Sequence, residues 1–373
     1  MHSELLRQTM DNKVLIIAEA GVNHNGDESK ALALVDAAVL AGVDVVKFQT
    51  FKAENLVTAT AKQASYQSKN IGKVESQLQM LKRLELSFGA HQRVKAYCDA
   101  CGIAYLSTAF DDESLAFLVE ELNLKQLKIP SGELTNAPFV LAHALTGCQL
   151  ILSTGMATLS EVKKALEVIA FGLLQSRGKM LASAPNSAAF SQAFHSELGQ
   201  RLLQEQVTLL HCSTEYPTPA HHVNMLAMDS LKNEFLLAVG YSDHSQGITI
   251  PIATVARGAK VIEKHFTLDR NLPGPDHRAS LEPDELSAMV KAIREVESAF
   301  GDGIKQPTAT ECQNMVAARK SLVAASDIKQ GDVFTKENLA IKRPGNGMSP
   351  DKYWALLGKS SVRDYQAGDL LTE

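Results

Sequence analysis

Eight short apolar runs punctuate the chain, at residues 14–19, 45–49, 104–108, 127–131, 150–154, 207–211, 238–244 and 261–265. Each closes on polar residues able to do chemistry. Strands buried on both faces of a parallel sheet read as near-continuous apolar stretches. Eight of them alternating with helical segments predict an α/β fold, a closed (β/α)₈ TIM barrel. In that fold the active site lies at the carboxyl ends of the strands. The pattern therefore directs Glu19, Lys47, Gln49, Thr108, Lys128, Ser131, Ser153, His211, Ser242, His244 and His265 toward one pocket.

The segments between the runs carry helix signals. Residues 29–41 are rich in Ala, Leu and Val, with Asp27 or Ser29 placed to cap. Residues 75–86 and 88–101 read as two more helices, and 160–170 opens on Ser160 and the acidic Glu161. Residues 283–300 form an amphipathic stretch that closes on Gly301, suited to the eighth barrel helix. Residues 172–206 are long for one helix-to-strand connection and read as a partly helical insertion on the face away from the site. The barrel domain is thus expected over residues 1–303. Beyond it the pattern changes to short strand-like pieces at 321–325, 327–334 and 339–344, separated by turns. The piece Ala367-Gly368-Asp369-Leu370-Leu371 faintly echoes Gln330-Gly331-Asp332-Val333-Phe334. Residues 304–373 form a β-rich module too small to bury much core alone.

Composition narrows the classes. The 373 residues are 45% hydrophobic and 21% charged, with a formal net charge of −5. That suits a soluble protein and argues against a nucleic-acid-coating surface. No apolar run reaches the length of a membrane span. The first residues lack an apolar signal segment, and five scattered cysteines suit reduced thiols in a cytoplasmic protein. Cys98 and Cys101 form a lone C-x-x-C in a helical setting, which favours packing over a metal or redox role.

At the rim, Lys47 and Lys128 stand with hydroxyls from Thr108, Ser131, Ser153 and Ser242, a set suited to holding a phosphate and a carboxylate. Without that ligand they would be strand-end lysines reaching for water. No Walker-type loop is present, so a nucleoside triphosphate is not indicated. His244 and His265 end adjacent strands, which lie about 4.8 Å apart. Two imidazoles, with substrate oxygens and water completing the shell, favour a labile divalent ion: Mn²⁺ foremost, Mg²⁺ or Co²⁺ otherwise. His211 sits a strand away, where packing suits it better than ligation. Glu19 and Glu133 end strands one and four, as salt-bridge partners or proton carriers. Cys212 beside His211 is expected to point away from it.

Taken together, these blocks resemble the sialic acid synthase family. The carriers are Ala18-Glu19-Ala20-Gly21-Val22-Asn23-His24-Asn25-Gly26, Val46-Lys47-Phe48-Gln49-Thr50, Lys128-Ile129-Pro130-Ser131-Gly132-Glu133 and Leu152-Ser153-Thr154-Gly155-Met156. To these add 211–219, Gly240-Tyr241-Ser242-Asp243-His244, Glu263-Lys264-His265-Phe266, Pro273-Gly274-Pro275-Asp276-His277 and 342–347. The resemblance implies a TIM barrel followed by a small antifreeze-like (SAF) β-clip domain. It implies a domain-swapped homodimer in which Arg343 acts in the partner's site.

It further implies condensation of phosphoenolpyruvate with N-acetylmannosamine to N-acetylneuraminate and phosphate. Lys47, Thr108, Lys128, Ser131, Ser153 and Ser242 would hold phosphoenolpyruvate. His244 and His265 would hold the metal. Gln49, Asn70, Glu133, Tyr216, Asp276 and Arg343 would hold the sugar. Glu133 is the expected proton carrier and Glu19 an orienting group. The competing expectation is a diacetamido sugar yielding legionaminic or pseudaminic acid. A non-catalytic sugar- or ice-binding protein is the alternative from another class, which the lysine, glutamate and histidine set disfavours.

Overall fold

The computed structural model describes residues 13–179 and 184–372, which fall into two compact units, one through Phe300 and one from Gly301. In the first, strands β1 (Leu15–Gly21), β2 (Val45–Thr50), β3 (Ala104–Ala109), β4 (Gln126–Ile129), β5 (Gln149–Ser153), β6 (Val207–Cys212), β7 (Ala238–Asp243) and β8 (Val261–His265) close in sequence order into a parallel barrel. The expected TIM barrel is the observed one. Its helices pack a broad apolar core against the outer faces of the strands.

Helix ends follow local chemistry. Helix α1 (Glu28–Ala41) starts where the Asp27 carboxylate accepts the Ser29 N–H at 2.8 Å. Between β2 and β3 the chain inserts α2 (Ser65–Ile71) and α3 (Gln77–Leu84) before α4 (Phe88–Cys101). Cys98 is buried in the main core on α4, and burial pushes its thiol up to about 12. The C-x-x-C is therefore packing. Helix α5 (Asp112–Ala116) follows β3, and α6 (Ala137–Leu145) follows β4.

Helix α7 (Leu159–Ser176) overruns the expected end at Ala170, capped by Thr158 and Glu161 in a reciprocal pair. Gly172, where the insertion was expected to begin, is instead a helix–helix contact: a Cβ there would lie 2.5 Å from the Ala144 Cβ of α6. The expected insertion is then α8 (Ser187–His195) and α9 (Glu197–Gln206), with residues 180–183 outside the described set. Phe190 of α8 meets Phe171 of α7 edge-on at 5.1 Å. Helices α10 (Ala227–Phe235), α11 (Thr249–Ala256) and α12 (Pro283–Ala299) complete the wheel.

Side chains inside the barrel stack by the period-two rule. Ile17, Val45, Leu106, Ile151, Leu210 and Val261 form an apolar plug. Two residues further along the same strands stand Glu19, Lys47, Thr108, Ser153, Cys212 and Glu263. Two further again stand Gln49 from Lys47, His265 from Glu263 and His244 from Ser242. Register is staggered by the tilt of the strands, so Glu19 pairs with Lys47 of its own level and with His265 of the level above.

The second unit holds α13 (Ala309–Ala318) and an antiparallel pair, β9 (Ser321–Ala324) with β10 (Leu339–Lys342). Its core is small: Leu322, Ala324, Ile328, Phe334, Leu339, Tyr365 and Leu371. Residues 327–334, expected as a strand, form a turn touched only by single bridges, Ile328 to Tyr365 and Val333 to Ser360. The reason is Gly331 at φ +94°, with the Lys329 N–H donating to the Asp332 carboxylate at 2.7 Å. The echo at Gly368 repeats this turn, with φ +98° and the Gln366 N–H donating to Asp369 at 2.6 Å.

Candidate active site

The barrel mouth is a cavity of about 360 Å³ on the carboxyl side of the strands. At its floor, Lys47 Nζ lies 2.8 Å from Glu19 Oε2 and 3.5 Å from Glu263 Oε2. It also donates to Thr108 Oγ1 at 3.2 Å. Lys128 Nζ donates to Ser153 Oγ at 2.6 Å and lies 3.7 Å from Glu263 Oε1. Ser242 Oγ donates to that same Glu263 oxygen at 2.7 Å. Gln49 Nε2 reaches Glu19 Oε1 at 3.1 Å. Ser131 Oγ accepts the Gly155 N–H at 3.0 Å and lies 3.2 Å from Cys212 Sγ.

Burial sets the electrostatics. It works against the charge on Lys47, but Glu19 and Glu263 outweigh it, and the Lys47 pKa rises. Burial also dominates at Lys128, whose more distant carboxylate leaves its pKa lowered. The two lysines in turn outweigh burial at Glu263 and hold its carboxyl at about 2. Burial raises the Glu19 pKa more than Lys47 lowers it. Asp276 is pushed up to about 7, by burial and then by the Glu19 charge. The floor therefore holds Lys47 as an ammonium between two carboxylates, while Lys128 is the less compensated lysine of the two.

One level higher the His244 and His265 rings lie 5.4 Å apart, with the Tyr216 ring 4.1 Å from His244. Burial brings His244 down to about 4 and His265 well below its usual value, so both rings are neutral. The Ser213 carbonyl can only accept, so the His244 Nδ1 carries the proton and its Nε2 keeps a lone pair. His265 Nδ1 is buried with no hydrogen-bond partner. Two neutral imidazoles fit a divalent ion. Among the described residues no group of three His, Cys, Asp or Glu side chains is placed to hold one.

Of the residues expected in the site, Glu19, Lys47, Gln49, Thr108, Lys128, Ser131, Glu133, Ser153, Tyr216, Ser242, His244, His265 and Asp276 line this cavity. Glu133 reaches it from a short 3₁₀ turn after β4, with Asn136 donating to its carboxylate at 2.7 Å. His211 does not join them. Strand alternation turns it outward, where Nε2 donates to the Val223 carbonyl at 2.7 Å, and Cys212 takes the inward position. Asn70 is engaged at the cavity's edge, donating to the Pro275 carbonyl at 2.7 Å next to Asp276. Arg343 belongs to the second unit, where its Nε donates to the Ala318 carbonyl at 3.1 Å.

The model of the NeuB family matches residues 34–305, and that of the SAF domain matches 319–373. The chain belongs to the NeuB family. It is 48% identical to the N,N'-diacetyllegionaminic acid synthase of Campylobacter jejuni, across 97% of this chain and 99% of that one. Identity to the enzyme of the same name from Legionella pneumophila is 41%, across 95% and 92%. The crystal structure of an N-acetylneuraminic acid synthetase from Leptospira borgpetersenii superposes with a TM-score of 0.64 at 30% identity, covering 82% of this chain and 91% of that one.

Within this NeuB-family site, Glu263 is the residue that sequence reasoning left without a role. It joins both lysines and Ser242. Its signal was the alternation Glu263-Lys264-His265, which puts Glu263 and His265 on one face. Lys264 faces the other way, fully buried, 2.6 Å from Asp243. That ion pair joins β7 and β8 directly behind the two histidines.

Proposed function

We propose that the protein condenses phosphoenolpyruvate with 2,4-diacetamido-2,4,6-trideoxymannose, releasing phosphate and N,N'-diacetyllegionaminate. The observation that carries the chemistry is the buried lysine pair, set among serine and threonine hydroxyls, one level below two neutral imidazoles. The higher identity to the two legionaminate synthases than to the N-acetylneuraminate synthetase favours the diacetamido sugar over N-acetylmannosamine.

Lys47 and Lys128, with Thr108, Ser131, Ser153 and Ser242, bind the phosphate and carboxylate of phosphoenolpyruvate and fix its methylene against the sugar aldehyde. Holding both partners in place replaces a bimolecular encounter with a positioned attack. Mn²⁺, Mg²⁺ or Co²⁺ on His244 and His265 supplies Lewis-acid polarisation of the aldehyde oxygen when bound. Glu133 delivers a proton at that oxygen as the carbon–carbon bond forms, and Glu19 orients Lys47 and Gln49. Attack leaves positive charge at the phosphate-bearing carbon; water adds there with loss of a proton, and the tetrahedral intermediate expels phosphate as its carbon–oxygen bond breaks and the hydroxyl becomes the ketone. Gln49, Tyr216 and Asp276 contact the sugar, with Asn70 holding the Asp276 loop. Arg343, following the family resemblance, completes the sugar site of a partner subunit in a domain-swapped dimer.

Phosphoenolpyruvate labelled with ¹⁸O at its bridging oxygen tests the chemistry. The label should appear in released phosphate; label retained in the sugar acid contradicts carbon–oxygen cleavage. Calorimetric titration with Mn²⁺ tests the histidines separately. His265→Ala is expected to abolish binding, and an unchanged isotherm would remove the ion from this pair.

A further inference from the structure

The chemistry above occupies only part of the cavity. Much of the rest of its lining is apolar, with Phe51, Leu56, Val57, Met80, Leu81 and Phe110 on one side. This surface belongs to a packed cluster of its own, separate from the barrel core, with Phe51 and Phe110 in edge-on contact at 6.3 Å. It is built mainly by the excursion between β2 and α4, which includes α2 and α3, with Phe110 joining from the end of β3.

That excursion is tied down at several points. The Ala53 N–H donates to Glu85 at 3.0 Å, the Lys52 N–H donates to Asp111 at 2.8 Å, and Asn70 holds Pro275. The apolar wall is thus preformed, and it shares the cavity with Gln49, Asp276 and the histidines. Two glutamines interrupt it, Gln67, whose Oε1 accepts the Ala64 N–H at 2.9 Å, and Gln77. Gln77 lines the cavity, and its amide has no hydrogen-bond partner among the described residues.

A wall of this kind is poor for a fully hydroxylated sugar, because each hydroxyl pressed on it loses water and gains no partner. It suits methyl groups. A 2,4-diacetamido-2,4,6-trideoxyhexose carries three, one at C6 and one on each acetamido group, beside amides that Gln77 can bond. We infer that this wall, with Gln77, is the surface that selects a 6-deoxy diacetamido sugar over N-acetylmannosamine. The inference rests on the sugar assigned under Proposed function and adds the residues that read it. An apolar pocket rejects an added hydroxyl by about a hundredfold at most, so selection should be of that order.

The test compares kcat/KM for the two sugars, at saturating phosphoenolpyruvate and Mn²⁺, in the wild type and in Leu56→Gln, Leu81→Gln and Gln77→Leu. Leu56 and Leu81 are only partly buried, so either can carry the test if the other variant melts early. Each glutamine substitution should lower the preference for the trideoxy sugar by about tenfold, with the KM for phosphoenolpyruvate unchanged. Gln77→Leu should raise the KM for the diacetamido sugar with the same indifference to phosphoenolpyruvate. A wild type that prefers the trideoxy sugar, with folded variants that keep the same ratio, overturns the wall alone. A wild type that prefers N-acetylmannosamine overturns the sugar reading on which the wall depends.

Discussion

Lys128 is buried 3.7 Å from its nearest carboxylate, whereas Lys47 has one at 2.8 Å. A bound phosphate or carboxylate would relieve Lys128 most. Lys128→Ala is accordingly expected to lower kcat/KM by at least about a hundredfold, the scale of losing a preorganised charged donor. Its circular dichroism and melting should stay near wild type; near-normal turnover would remove the phosphate assignment. His143 makes a different residue-scale case, away from the site. Its Nδ1 donates to the Phe139 carbonyl at 2.9 Å, its Nε2 is buried without a partner, and burial lowers its pKa to about 4. Unfolded, the ring titrates near 6.5. The unfolded chain therefore binds a proton the folded one refuses, and this stability, full above 6.5, is lost as pH falls toward 4. His143→Gln should flatten the slope of unfolding free energy against pH by about one proton in that window; an unaltered slope contradicts a neutral buried ring. At this scale the lysines, serines and histidines were legible because they end apolar runs. Glu263 was obscured by the charged Lys264 next to it. His211 was directed to the pocket by its place at the end of an apolar run, but its parity is opposite to that of Leu210 in the plug, and the packing role preferred for it holds.

Among the elements, helix caps and strands could be read from local chemistry, but helix α7 could not be given its length. Gly172 resembles a stop by propensity, and only the approach of α6 explains it. The two accounts differ in sign. Propensity alone would have Gly172→Ala stabilise the helix by about 1 kcal/mol. A Cβ 2.5 Å from that of Ala144 should instead force the helices apart, lowering stability by about 1–3 kcal/mol while leaving turnover unaffected. Chemical denaturation decides between them. The turns at Gly331 and Gly368 show the opposite failure. The apolar residues of 327–334 suggested a strand, while the hydrogen bonds of Asp332, and of Asp369 in the echoing piece, to the backbone hold turns.

For the molecule as a whole, barrel order and the β-rich second unit were legible because eight strand endings and a change of periodicity are long-range signals. Which sugar is used was not, because the wall proposed to select it is brought to the mouth by a loop excursion. No described helix is long and apolar enough to cross a membrane. The proposed action of Arg343 in a partner's site has a direct test. Arg343→Ala and Lys128→Ala proteins, each inactive alone, should regain about a quarter of wild-type activity when unfolded and refolded together, since one site of each mixed dimer is then intact. No recovery, with mixed dimers demonstrated, would place Arg343 in its own subunit's site.

The choice of substrate is decided most directly by phosphate release from phosphoenolpyruvate and Mn²⁺, comparing 2,4-diacetamido-2,4,6-trideoxymannose with N-acetylmannosamine. Faster release with the diacetamido sugar, giving N,N'-diacetyllegionaminate, is the expected result. Faster release with N-acetylmannosamine would reassign the product to N-acetylneuraminate, and release with neither sugar by folded, metal-supplied protein would contradict the proposed reaction itself.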